Sequence, residues 1–536
     1  MRKISRLKIA LPLFVLGYVV AVYWVFTKST PIVDERDVTI RIAHWQIELG
    51  PPDGIDAVIK RYEELNPRVR VKQVMVPATV YRQWMRANFS GGTAPDIVEY
   101  GAWLDGLADL PVRYFDPLTD DLQESNPYNE GTVLEGVPWL KTFADELSEQ
   151  RLNSPEPGQY YCVTLSRGSM RLFCNRDLLR EITGSAEPPA DFAAMRKLFE
   201  QAQAFGAQRG RPVYPFAGSR DNVYWLMTFY MNGISNRLAQ RIDHSGFMSL
   251  YSRQTMWKFL NGEWSYQDPD MKAGLALLSE LSEQMKPGYM QFVRDEAVRQ
   301  FINGDALFLF AGTWEATSLR RLASFPVDAL RCPQPTKNDP VVGAAMLGRY
   351  ADGNNVTSFG FYLNKRTPHR KEAVDFLRFL TSYEGIKLFT DHSGWPPSVR
   401  DVPMSAEAAS ALSPDDGYNY GGPNIVVGGA TRSVFERNLH LLNGPNGSVD
   451  RFAAAMDADM REPVRGALAV EGRAARWAML PQDTRIAALG RLEQLQPDDG
   501  AATLRRQRLE AAQNLSEARA LLIARQLRSL ETRGGQ

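Results

Sequence analysis

Histidine and cysteine are scarce in this 536-residue chain, at five and three, and their scarcity excludes several kinds of chemistry. His44, His244, His369, His392 and His440 show none of the short spacings that put two ligands on one metal, so no metal site and no cofactor are expected. A serine-nucleophile elbow, a phosphate-binding glycine loop and a zinc helix motif are all missing. Lys+Arg and Asp+Glu both number 62, which leaves no net charge to draw the chain to nucleic acid. Lysine stops at Lys387, whereas alanine, arginine and leucine become frequent after about residue 450. Among the cysteines one question stays open. Cys162 and Cys174 would bridge only on adjacent strands, with Cα atoms within about 7 Å; three buried free thiols is the competing reading.

What is present begins with a targeting signal. Residues 1–8 hold Arg2, Lys3, Arg6 and Lys8. Residues 9–27 are apolar over about 19 residues, the length of a helix that crosses a bilayer. Tyr23 and Trp24 stand near its far end, and the positive-inside rule keeps residues 1–8 in the cytoplasm. A cleaved signal peptide is the alternative, but no small-x-small site follows the apolar run, so an uncleaved single-pass inner-membrane anchor is favoured, with the large domain on the periplasmic or extracytoplasmic side. Residues 28–37 are a polar linker.

From Val38 the pattern alternates strand and helix. Strands are expected at Val38–Ala43, Val69–Val76 and Asp96–Val98, with helices at Ile55–Leu65 and Val80–Ser90 between them. That order predicts a mainly parallel sheet with helices on both faces. A similar pattern returns beyond residue 160, with strands at Tyr161–Leu165 and Leu172–Cys174 and a helix capped by Asp191. Another strand is expected over 358–363. In the tail, Leu504, Ala511, Leu515, Ala518 and Leu522 keep a three-and-four spacing that predicts a long amphipathic helix, packed on the lobes or self-associating; without sustained leucine heptads, packing on the parent domain ranks above a coiled coil.

The run Asp295–Glu315 is the most informative stretch. Ala297, Val298, Phe301 and Ile302 form a helical face, Asn303-Gly304-Asp305 breaks it, and Ala306–Ala311 reads as a strand buried on both sides. Gly312 then turns the chain and projects Trp314 where an open α/β sheet leaves a crevice. An indole there stacks on the apolar face of a sugar ring; a core cap is the plain alternative. Sugar hydroxyls also need charged acceptors, which singles out Asp96 and Glu99. Asp96 follows a proline and has an equal claim to fixing a turn. Arg167, near the first expected crossing between halves, is placed to reach ligand or to stabilise closure, with a solvated arginine as the plain alternative.

In order along the chain, IRIAHW, AVIKRYEELNPRVRVKQVMVP, GGTAPDIVEYGAW, RLFCNRDLL, FINGDALFLFAGTW, FGFYLNKRTPHRKEAVDFLRFLTSYEGIKLF and SGWPPS together resemble family 1 of the extracellular solute-binding proteins, the maltose-binding-protein-like receptors of ATP-driven sugar importers. The resemblance implies two α/β lobes of the periplasmic-binding-protein fold, with several hinge crossings, closing on a carbohydrate and delivering it to ABC permease subunits. It points to Tyr100 and Trp103 after the third strand, Trp314 in GTW, Trp45 after the first strand, Asp221, Tyr224 and Trp225 as sugar contacts, and Trp395 in SGWPPS. The lobes would take residues 38–165 with about 361–384, and 166–357 with about 393–450, followed by a helical extension over 451–536. Many relatives lack such an anchor and such a tail, so a surface sensor or a scaffold for another membrane protein is the alternative. A glycoside hydrolase stands behind both, since it needs two carboxylates facing each other across the sugar bond.

Overall fold

The computed structural model describes residues 37–101, 110–148, 150, 154, 156, 158–244, 250–351, 357–414, 416–417, 421–497 and 500–534. The expected anchor at 9–27 and Trp103 lie outside them. Among the described residues no helix is long and apolar enough to cross a membrane.

Two sheets organise the chain. The first holds β1 (Val38–His44), β2 (Val69–Met75), β3 (Ile97–Glu99), β4 (Phe115–Asp116) and β5 (Cys162–Arg167); the second holds β6 (Met170–Asn175), β7 (Tyr214–Ala217), β8 (Ala306–Gly312) and β9 (Val327–Leu330). A last strand, β10 (Thr357–Asn364), returns to the first sheet. β1 pairs in parallel with β2 and β3, as the strand-helix alternation predicts. The expectation of a mainly parallel sheet fails beyond them, because β10 runs antiparallel to β3, β4 and β5. In the second sheet β7 and β8 are parallel, while β6 opposes β8 and β9. Antiparallel strands appear where the chain changes sheets, so a local repeat of strand and helix gives no sign of them.

The crossings fix the relation of the halves. The chain leaves the first sheet at Arg167, enters the second at Met170, returns at Thr357 and departs again after Val402, whose side chain still belongs to the first core. Thr357 pairs with Arg167, and Trp395, Val399 and Val402 pack with Phe359, Phe361 and Phe389. The expected lobe boundaries therefore need correction: residues 357–360 and 395–402 sit with the first half. Helix Pro51–Leu65 buries Ile55, Val58, Ile59 and Tyr62 and packs on helix Tyr383–Ser393, while Leu65 at its end is exposed. Cys162 and Cys174 fall in different sheets, and all three cysteines are buried free thiols.

The tail is a hairpin of two helices, Arg461–Leu495 and Gly500–Gly534. Its interface buries small side chains, Ala474, Ala475 and Ala478 against Ala502, Ala512, Ser516 and Ala520. At Gly472 a Cβ would stand 2.9 Å from Ile523 Cγ2, so any larger residue would push that side chain or the helices apart. Leu504, Ala511, Leu515, Ala518 and Leu522, expected to face the protein, all face solvent. Leucine was the wrong guide because closely approaching helices select for small residues. The first tail helix also touches both halves. It packs on helix Ser252–Leu260, while Arg113 stacks on Trp477 at 5.4 Å and Gln482 donates to Glu156 at 3.3 Å.

Candidate functional site

The carboxyl ends of β1, β3 and β8 face the place where the chain passes between sheets. Trp45 follows β1 and is half-buried, its ring edge-on to Tyr81 at 5.1 Å, with Trp84 stacked beyond Tyr81 at 5.4 Å. Its N–H donates to Glu99 Oε2 at 3.0 Å, and Gln46 Nε2 donates to Glu99 Oε1 at 2.6 Å. Glu99 is thus buried beneath the Trp45 turn and shapes that wall. Burial drives its pKa well above the ordinary carboxylate value.

On the opposite wall, Trp314 lies flat over Gly312. A Cβ at Gly312 would come within 2.1 Å of the indole Cη2 and Cζ3. Gly312 is extended, at φ −74°, so the glycine supplies room for the ring and not the turn expected of it. Thr313 N donates to Ser169 O at 2.9 Å, and Ser169 N donates to Thr313 Oγ1 at 3.2 Å, which ties the tryptophan to the crossing strand. Trp314 meets Trp225 edge-on at 5.9 Å and also packs against the core of the first half.

Trp225 rides on helix Arg220–Ile234, capped by Ser219, together with Asp221 and Tyr224. The Asp221 carboxylate pairs with Arg432 and accepts the Arg294 N–H at 2.9 Å. Arg432 covers the Tyr224 ring at 4.3 Å. Arg294 then joins the walls through ion pairs to Glu315, beside Trp314, and to Glu48, in the Trp45 loop. Leu49 N donates to Ser318 Oγ at 3.1 Å, and Thr317 Oγ1 donates to Ser393 O at 2.6 Å, fastening the same side.

The other expected contacts fall elsewhere. Asp96 sits at the far end of β3, where Oδ2 accepts the Arg41 N–H at 2.8 Å and Oδ1 the Thr367 hydroxyl at 2.5 Å; the turn-fixing reading fits these contacts. Tyr100, 9% exposed, packs inside the first half on Tyr362 at 5.1 Å and Phe115 at 5.7 Å. Trp395, 5% exposed, lies in that core against Phe359 at 5.6 Å. Arg167 donates from Nε to Pro397 O at 2.8 Å and so braces a crossing. Sequence reasoning missed Glu48, Tyr81, Arg294 and Arg432. Arg294 and Glu48 are 246 positions apart, and no local pattern links residues so distant.

His44, buried at the end of β1, gives this wall a pH dependence. Its Nε2 lies 2.6 Å from Gln73 Oε1, and Gln73 Nε2 donates to Asp56 at 2.6 Å, so Nε2 is the protonated nitrogen. Burial pushes its pKa down to about 4. Below the ordinary histidine value the unfolded chain takes up a proton first, so stability falls as pH drops through the window from 6.5 to about 4, by about 3 kcal/mol at its end. Glu99 has the opposite sign: its contribution is full below the ordinary carboxylate value and is lost as pH rises towards its raised one. The difference between wild type and His44→Gln isolates the histidine. Urea unfolding should show the variant losing less stability across that window, and parallel pH profiles would refute the assignment.

These features define a two-lobed α/β binding protein, with aromatic walls on either side of repeated chain crossings. The chain belongs to the bacterial extracellular solute-binding protein family, whose profile matches residues 57–413. An uncharacterized ABC transporter extracellular-binding protein of Pyrococcus horikoshii is 20% identical over 387 residues, covering 70% of this chain and 75% of its own. The multiple sugar-binding protein of Streptococcus mutans is 21% identical over 378 residues, covering 69% and 77%. Among solved structures, an ABC substrate-binding protein from Listeria monocytogenes in complex with cycloalternan matches with a TM-score of 0.55 at 15% identity, over 80% of this chain and 98% of that one. RafE from Streptococcus pneumoniae matches at 0.54 and 15%, over 80% and 98%. At such identities the structural likeness speaks for the fold.

Proposed function

We propose that this protein is a non-enzymatic, membrane-tethered receptor that closes its lobes on a carbohydrate and delivers it to an ABC importer. The observation that carries the reading is the pairing of Trp314 with Trp225 on one wall, facing the Trp45 loop to which Arg294 and Glu48 join it. Flat rings take the C–H faces of a sugar, and the polar groups around them take its hydroxyls. The sugar-binding relative adds support, as does the apolar segment 9–27 with its cationic flank. Each carboxylate named in the site has a protein partner: Glu99 has Gln46, Asp221 has Arg432, and Glu315 and Glu48 share Arg294. Such an arrangement suits holding a ligand better than the acid and base pair of a hydrolase. Ligand shifts the open and closed populations only by its difference in affinity for them.

The test is a panel of mono- and oligosaccharides added to the full chain, with melting temperature and sugar products both recorded. A raised melting temperature with intact sugar is the expected result. Sugar cleavage would replace the receptor by a hydrolase, and no shift with any sugar would favour a scaffold. In intact cells, protease acting from the cytoplasmic side should spare the large domain; its digestion there would contradict the tether's orientation.

A further inference from the structure

The tail hairpin leaves one face unused. Leu504, Ala511, Leu515, Ala518 and Leu522 form a stripe along the outside of helix Gly500–Gly534, with the leucines 49%, 59% and 44% exposed. At 3.6 residues per turn, Arg508 and Arg525 fall within about 60° of this stripe. Both are exposed, and neither makes an ion pair among the described residues. Glu510, Glu517 and Glu531, the helix's carboxylates, all lie more than about 100° away. They turn instead towards Arg506, Gln513 and Arg465. With seven arginines against three glutamates, the helix presents an outer face that is apolar and cationic without a single carboxylate.

We propose that this face rests on the anionic surface of the membrane and so sets the orientation of the binding crevice above it. A helix with leucines on one face and arginines flanking them lies in the interface plane, its apolar residues among acyl chains and its cations at headgroup phosphates. A second copy fits less well, because two such faces would bring arginines together with no acid to pair them. The inference rests on the tether proposed for residues 9–27, which holds the domain beside a bilayer. A weak surface contact then becomes effectively intramolecular.

The experiment uses the full chain with Ala518→Cys, labelled with a fluorophore; the three native cysteines are buried. It is mixed with vesicles of phosphatidylglycerol or of phosphatidylcholine, each doped with a nitroxide-lipid quencher. Flotation in high salt reports the tether independently of the helix face. The expected result is flotation with both lipids, quenching several-fold stronger on phosphatidylglycerol, and loss of that excess in high salt or with R508E/R525E. Flotation without selective quenching overturns the helix contact and leaves the tether standing. Selective quenching without flotation in high salt keeps the contact and sinks the tether. Self-quenching between labels in place of lipid quenching would assign the face to a second copy and overturn the proposal.

Discussion

Gly312→Ala should weaken carbohydrate binding by at least about tenfold, or about 1.4 kcal/mol, although residue 312 touches ligand with no side chain of its own. The new methyl group would occupy the space of the Trp314 ring, 2.1 Å from two of its atoms. Ordinary carbon contacts are about 3.5–4 Å, so the indole must swing away and the plate proposed to receive the sugar face is lost. Backbone strain contributes nothing, because φ −74° suits alanine. Overpacking of this kind typically destabilises by about 1–3 kcal/mol. A double-mutant cycle separates the causes. Trp314→Ala alone should lose comparable affinity, and adding Gly312→Ala to it should do little further harm, since the obstructed ring is gone. Equal binding by wild type and both single variants, measured by calorimetry, would remove Trp314 from the site.

The largest loss of stability is expected from Arg294→Ala. Burial opposes the Arg294 charge, yet Glu315 and Glu48 outweigh it and raise its pKa above the ordinary guanidinium value. Glu315 is only 3% exposed, and burial raises its pKa even with Arg294 beside it. Removing the arginine strands that carboxylate, a change that usually costs about 3–5 kcal/mol. The lower end applies, because Arg294 itself keeps 29% exposure and water can follow. The sign of the pH dependence is fixed as well. An unpaired buried carboxylate has a raised folded pKa, so the defect is greatest at neutral pH and shrinks as acid protonates Glu315. Glu48→Gln makes a useful contrast, since it leaves the Arg294–Glu315 pair intact and removes only the Arg294–Glu48 link between halves. Its stability loss should be markedly smaller, while the spread of lobe separations seen by spin-label distances should widen. Similar losses in both variants, measured by urea unfolding, would contradict this division of roles.

Local patterns were legible wherever a residue's surroundings come from its own element. The strand Ala306–Gly312 is buried along its whole length, as its uninterrupted apolar run implies, and Asp191 caps its helix by accepting the Ala194 N–H at 2.8 Å. Glycine at Gly92 ends its helix in the left-handed region at φ 70°, a conformation cheap for that residue. Legibility failed where the environment is assembled from afar. Tyr100 and Trp395 carry the same chemistry as Trp45 and Trp314, yet they pack inward because β10 and its neighbours close over them. The tail was misread because apolar size was taken to mark the buried face, whereas the hairpin interface selects small residues.

By itself the sequence determined the alternation of strands and helices, the helix caps, the buried strand before Trp314 and the family resemblance, since periodicity and turn chemistry act over a few residues. Only tertiary structure decided which aromatic rings stand beside the crossings between sheets, which face of the last helix stays in solvent, and that Arg294 joins segments from opposite halves. Those outcomes depend on contacts between segments that are distant in sequence, 30 positions apart for Gln513 and Asp483 in the hairpin and 246 for Arg294 and Glu48, and burial is settled by what another segment places on top.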